Sequence, residues 1–266
     1  MKIATFNVNS IRARIVSLCK WIKNNNPDLL FLQEIKCEQD NFPFFEFESL
    51  GYNVAVLGQK SYNGVAILSK SNFEITERNL PNFNDDAMRY LEILVTIKNQ
   101  TFYAASVYVP NGCAPDANIQ KEKLNYKLEW FNTLYCHLKQ LQKRNLPIII
   151  GGDFNIMMRE IDVFDSSLFQ NSPLYIKPVQ DKIITLQNLG LYDAFRILHP
   201  NDEGFTFWDY TANSFVTNSG LRIDYIFISA KFAENLKTCY PDKTLRMTDK
   251  PSDHTVLVAE IEDNDD

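Results

Sequence analysis

Pro147-Ile148-Ile149-Ile150-Gly151-Gly152-Asp153-Phe154-Asn155 is the stretch from which the fold can be read. Three consecutive isoleucines are β-branched and apolar toward both sides, which predicts a strand over 147–153 covered on both faces. The two glycines are expected to let the backbone turn closely. The strand then delivers Asp153 and Asn155 together. A carboxylate at the end of a buried strand is costly unless hydrogen-bonded or bound to a metal, so Asp153 is either a satisfied structural acid or part of a site. Sheet proteins gather their ligand sites at strand ends.

Outward from this stretch, strand patterns recur at 2–8, 28–34, 52–57, 64–69, 90–97, 101–109, 222–229 and 254–261. Residues 90–97 and 101–109, with Lys98-Asn99-Gln100 between them, predict an antiparallel hairpin. Ile11, Ile15, Leu18 and Ile22 have helical spacing, with Ser10 as the expected N-cap and Asn24-Asn25-Asn26-Pro27 as the stop. Leu124, Leu128, Phe131, Leu134, Leu138 and Leu141 make one apolar stripe over 120–144, assigned to core packing. A third helix is expected over 179–189, ending at Gly190. The first two helices read as crossovers between parallel strands, so mixed sheets flanked by helices are predicted.

The 266 residues are 45% hydrophobic and contain no linker-like or repeated segment, which predicts one domain over 1–266 with Glu262 to Asp266 as a frayed acidic tail. No apolar run reaches membrane-spanning length and the chain opens directly on an apolar alternation, so it reads as soluble, not exported and cytoplasmic. Five irregularly spaced cysteines suit reduced thiols and not a disulfide frame or zinc site. With only three histidines, any metal is expected on carboxylates, which favours Mg²⁺ or Mn²⁺. The net charge of −6 argues against a protein that coats nucleic acid, but not against one that grips it locally.

Several strands carry a polar group where their apolar run stops: Asn7, Glu34, Tyr108 and Asp153 with Asn155, while Asp224 sits within Leu221 to Ile226 and Ser252-Asp253-His254 precedes Thr255 to Val258. Singly, each has an ordinary explanation as a cap, a turn or a satisfied acid. Converged, they would supply carboxylates, carboxamides, a phenol and an imidazole with no serine or cysteine nucleophile. That inventory suits metal-assisted attack of water on a phosphate ester. No strained nucleophile elbow is present for a Ser-His-Asp hydrolase.

Phe6-Asn7, Leu32-Gln33-Glu34, Tyr108-Val109-Pro110-Asn111-Gly112, Gly152-Asp153-Phe154-Asn155, Gly220-Leu221-Arg222-Ile223-Asp224-Tyr225 and Ser252-Asp253-His254, in this order, resemble the motifs of the exonuclease III family of apurinic/apyrimidinic endonucleases. The likeness runs from Met1 to about Ile261 and takes in Glu160 to Val163 and Gly204 to Tyr210. It implies a two-sheet, four-layer α/β sandwich of the endonuclease/exonuclease/phosphatase type. It also implies Mg²⁺-dependent cleavage, with Mn²⁺ as a substitute, of double-stranded DNA 5′ to an abasic site, with 3′–5′ exonuclease and 3′-phosphatase side activities and a monomeric protein.

By the same resemblance Glu34 binds the metal with Asn7 and Asp253 nearby, and Asp153 positions or deprotonates water. His254, oriented by Asp224, contacts the scissile phosphate, while Tyr108 and Asn155 add donors around it, or Tyr108 serves the leaving group. Asn111 and Arg89 are expected at the substrate, and Phe207, Trp208, Leu221 and Ile223 match an apolar pocket for an extruded sugar without its base. Thr211 and Ser219 stand where bacterial relatives usually carry arginine, which implies fewer phosphate contacts, with Arg12, Arg14, Lys121 and Arg159 as other sources. Met157-Met158 replaces the usual Ala-Pro, a packing change. Two other readings share part of this pattern. One is a different phosphoesterase of the same architecture, and the other a non-catalytic nucleic-acid-binding regulator on this fold.

Overall fold

The computed structural model describes residues 1–211 and 213–262. The chain runs β1 (Lys2–Asn7), α1 (Ile11–Asn25), β2 (Leu29–Gln33), α2 (Phe44–Glu48), β3 (Asn53–Leu57), β4 (Val65–Ser69), β5 (Phe73–Arg78), β6 (Tyr90–Ile97) and β7 (Gln100–Tyr108). It continues through α3 (Ala117–Gln142), β8 (Ile148–Asp153), α4 (Lys177–Asn188), β9 (Leu191–Asp193), α5 (Ala194–Leu198), β10 (Asp224–Ser229), α6 (Ala230–Ala233), β11 (Leu236–Asp242) and β12 (Val256–Ile261).

Two six-stranded sheets form, in the orders β11-β12-β1-β2-β4-β3 and β5-β6-β7-β8-β10-β9. Both follow one plan: a central parallel pair, β1 with β2 and β7 with β8, flanked on each side by antiparallel strands. The crossovers of the parallel pairs are α1 and α3, as the apolar stripes predict. Ile3, Phe31 and Ile67 of one sheet meet Ile93, Phe102 and Ile149 of the other in the central core. Leu18, Trp21 and Ile22 of α1 cover the outer face of the first sheet. Trp130, Phe131 and Leu134 of α3, with Val179 and Ile183 of α4, cover the second, which completes a four-layer α/β sandwich.

Three details differ from the sequence reading. β8 continues straight through Gly151 and Gly152 instead of turning. An added Cβ at Gly151 would collide with the Phe31 ring of the facing sheet, and one at Gly152 with the Val107 carbonyl, so these glycines serve close approach. Ser10 occupies the N-cap of α1 at φ 89° without a side-chain capping bond. The helix start is held instead by backbone bonds from Ser10 and Ile11 to the carbonyls of Glu34 and Ile35. Finally β5, β9 and β11 were not evident in the sequence pattern. β5 is a partly buried edge strand and β9 has only three residues, so neither carries a strong apolar period. Of the expected acidic tail, residues 263–266 lie outside the described residues.

Candidate active site

Because both parallel pairs end on the same side of the sandwich, their C-terminal ends meet. The register sets Tyr108, Asp153 and Asp224 in one row across β7, β8 and β10. Asn7 stands at the end of β1, opposite Gln33, and Glu34 follows at φ 49°. Below this row a buried polar link ties the sheets: Gln33 Nε2 donates to Ser106 Oγ at 3.0 Å, and Ser106 Oγ donates to the Leu32 carbonyl at 3.1 Å.

Asn7 is fully buried, and its Nδ2 donates to Glu34 Oε1 at 2.8 Å and to Asp153 Oδ2 at 2.9 Å. His254 Nδ1 donates to Asp224 Oδ2 at 2.8 Å, and its Nε2 lies 3.7 Å from Asp153 Oδ2. Asn155, at φ 51°, bonds through Nδ2 to the Val109 carbonyl at 2.9 Å, and its amide N–H donates to Asp153 Oδ1 at 2.9 Å. Thr206 Oγ1 accepts from the amides of Ile223 and Asp224, which fixes the start of β10.

The electrostatics divide these groups. Burial pushes the Asp153 carboxyl up, the negative charges of Asp224 and Glu34 add to this, and His254 and Asn7 oppose it. Burial alone would lower His254, but Asp224 and Asp153 hold it above its ordinary value, so the imidazolium is favoured. Burial would raise Glu34, yet bonds from Asn7 and Lys36 and the charges of Lys36 and His254 bring it below the usual range. Burial and the negative charges of Glu34 and Asp153 push the Tyr108 phenol well up.

Among the described residues, Glu34, Asp153 and His254 offer ligand atoms all within 4.8 Å of one another. The Glu34 and Asp153 carboxylates suit a hard divalent cation, while His254, held as the imidazolium, offers N–H and not a ligand lone pair. The buried Asp224 Oδ1, which has no hydrogen-bond partner among the described residues, shows acceptor capacity left over at the site.

Asp253 is turned toward a neighbouring cluster and is not among those three groups. Its Oδ1 accepts from Asn9 Nδ2 at 3.0 Å, while Asn9 Oδ1 accepts from Lys36 Nζ at 2.6 Å. Lys36 also pairs with Glu34 Oε2 at 2.7 Å. Asn9 and Lys36 therefore belong to the site, though neither ends an apolar strand and the pattern that exposed the others passed them over.

The expected pocket residues separate. Phe207 packs with Met157, Val163, Leu221 and Ile223, and its ring lies 5.0 Å from the His254 ring. Trp208 is wholly buried on the other side of that segment, edge-on to Phe215, with Lys243 stacked over it, so it packs the loop and does not line the cluster. Its backbone still helps, since the Trp208 amide bonds the Asp253 carbonyl. The Arg89 guanidinium stacks 4.8 Å above the Tyr108 ring. Asn111 is exposed at the rim, its Oδ1 taking the Cys113 amide.

The chain that builds this cluster matches a known family model, described as the endonuclease/exonuclease/phosphatase family, over residues 4–254. The chain belongs to the endonuclease/exonuclease/phosphatase family. Within that family it is 31% identical to exodeoxyribonuclease III of Haemophilus influenzae, over 98% of this chain and all of that one. An AP endonuclease from Archaeoglobus fulgidus superposes with a TM-score of 0.90 at 35% identity, covering 99% of this chain and 100% of that one. The 3′ phosphatase NExo from Neisseria, solved with a product DNA hairpin, superposes at 0.91 with 33% identity, covering 98% and 99%.

Proposed function

We propose that this protein is a DNA-repair nuclease that hydrolyses the phosphodiester 5′ to an abasic site in double-stranded DNA. The same centre trims 3′ ends as an exonuclease and a 3′-phosphatase. The observation that carries the reading is the convergence of Asn7, Glu34, Asp153, Asp224 and His254, from both sheets, into one cluster joined by hydrogen bonds and by the 3.7 Å approach of His254 Nε2 to Asp153. Similarity to an exodeoxyribonuclease III, an AP endonuclease and a 3′ phosphatase supports the substrate class.

In this reading Glu34 holds a divalent cation, Mg²⁺ or in its place Mn²⁺, with Asn7 and Asp253 nearby. Bound there, the cation neutralises charge on the phosphate oxygens. Asp153, its basicity raised by burial, orients water and accepts its proton. His254, kept protonated and aligned by Asp224, donates from Nε2 to the phosphate. Tyr108 stays a phenol and so donates, with the Asn155 carboxamide beside it. Phe207, Leu221 and Ile223 offer an apolar surface next to His254, where a flipped sugar without a base would fit and one with a base would be crowded. The chain acts as one catalytic domain and as a monomer.

The substrate assignment is tested with three duplexes: one with a single tetrahydrofuran abasic analogue, one undamaged with a recessed 3′ end, and one with a 3′-phosphate. The expected result in Mg²⁺ is incision 5′ of the analogue that leaves a 3′-hydroxyl, faster than digestion of the undamaged end. Tight binding of all three with no cleavage would favour the non-catalytic regulator instead.

A further inference from the structure

Lys127, on α3, is completely buried, yet among the described residues no carboxylate pairs with it. Its Nζ donates to three backbone carbonyls, those of Asn111 at 3.2 Å, Asn155 at 2.7 Å and Pro173 at 2.9 Å. An ammonium has three N–H donors and no acceptor, so the three carbonyls match the charged group completely. Burial draws its pKa down to about 7, with Cys113 and Asp153 opposing the fall. A methionine would fill the same space without burying a charge, so the cation does something that packing alone does not require.

The three carbonyls belong to three separate loops. Asn111 follows β7 and Tyr108, Asn155 follows β8 and Asp153, and Pro173 precedes Leu174 and Tyr175, which pack on the Phe207 cluster. The loops are also fitted to the lysine: an added Cβ at Gly112, where φ is +80°, would lie 3.2 Å from Lys127 Cδ and 3.0 Å from Pro173 Cβ. Asn155 has left-handed backbone, with one contact of its side-chain amide made to the Val109 carbonyl and its backbone N–H bonded to Asp153. Its backbone carbonyl is a third point of attachment, and Lys127 holds it.

We propose that Lys127 is a positioning residue: one buried ammonium clamps the Tyr108 loop, the Asn155 loop and the wall of the sugar pocket in mutual register. The inference rests on the function proposed above and assigns Lys127 no contact with substrate. Misplacing reacting groups by about 1 Å costs about 100-fold in rate, which sets the scale of the effect.

The test compares Lys127→Met, which keeps length and volume but no donors, with Lys127→Arg, which keeps donors. Lys127→Met should lose about 30- to 100-fold in kcat on the abasic-analogue duplex with KM changed less than about threefold, and Lys127→Arg should recover most of that loss. A packing role alone would give Lys127→Met a near-wild-type kcat, and that result overturns the proposal. Hydrogen–deuterium exchange of the free protein supplies a second readout that needs no substrate. In Lys127→Met, 109–112, 155–157 and 172–175 should all exchange faster, and unchanged exchange in these segments contradicts the clamp. Were the wild type to cut no DNA, the function proposed above would fail while exchange still decided the role of Lys127. If Lys127→Met does not fold, Lys127→Gln, with two donors, is put through both readouts.

Discussion

Asn7 and Asp153, at the ends of central strands in opposite sheets, are joined by a 2.9 Å hydrogen bond from Nδ2 to Oδ2. The same amide nitrogen reaches Glu34 Oε1 at 2.8 Å. An uncharged group with two donors is needed there, because it lies between two carboxylates that would otherwise repel each other. Asn7→Asp should therefore lower kcat by at least about 100-fold, on the scale of removing one preorganised donor, and drive the Asp153 pKa further up. Single-turnover incision of the abasic-analogue duplex checks this; a loss below threefold would show that the bridge does not matter.

The Glu34 carboxyl lies below its ordinary pKa, and Lys36 already pairs with it at 2.7 Å. A cation must compete with that ammonium. Glu34→Gln should raise the Mg²⁺ concentration for half-maximal activity at least about tenfold, while KM for DNA changes little. An unchanged Mg²⁺ titration would remove Glu34 from the metal site.

His254 owes its raised pKa first to Asp224, against the lowering by burial. A group raised in the folded state contributes stability below its unfolded value of about 6.5, and that contribution is lost as the pH rises through the higher folded value. In Asp224→Asn the folded pKa should fall, so that a proton NMR titration of His254 in the metal-free protein moves to lower pH. No movement would show that Asp224 does not hold the charge.

Asp162 anchors the pocket loop through Arg222 Nε at 2.7 Å and through Arg196, and Arg222 Nη1 reaches Asp193 at 2.8 Å. Burial would raise Asp162, but the two arginines hold it low. Its contribution is thus in place above the unfolded value of about 4 and is lost as the pH falls through the lower folded value. Asp162→Asn, which leaves buried guanidinium charge uncompensated, should cost about 3 kcal/mol in urea unfolding at pH 7. The gap from wild type should begin to narrow as the pH falls below about 4, where the unfolded chain's carboxyl protonates, and close only below the lower native value.

The parts of this site that stand at the ends of apolar strands were legible in the sequence, because a buried strand announces itself and its last residue inherits a position. Asn7 and Asp153 are of this kind, Asp224 opens its buried strand instead, and the two crossover helices could be placed from their stripes. Lys36 and Asn9 were not legible, since loop residues at positive or irregular φ leave no periodic trace. Lys127 is masked differently: in a helix of alternating charges it looks like one more solvated lysine, and only the fold reveals that three carbonyls surround it. Phe207 and Trp208 are adjacent and alike in character, yet the chain turns one toward His254 and buries the other against Phe215. Edge strands such as β5 escaped notice for want of a buried face.

The central claim is that Asp153 and a divalent cation together hydrolyse a phosphodiester at this cluster. The most direct measurement incubates the abasic-analogue duplex with wild type and with Asp153→Ala, each in Mg²⁺ and in EDTA. The account predicts incision 5′ of the analogue by wild type in Mg²⁺ alone, with a loss of at least about 1,000-fold in Asp153→Ala. Equal cleavage by Asp153→Ala, or cleavage that persists in EDTA, would contradict it.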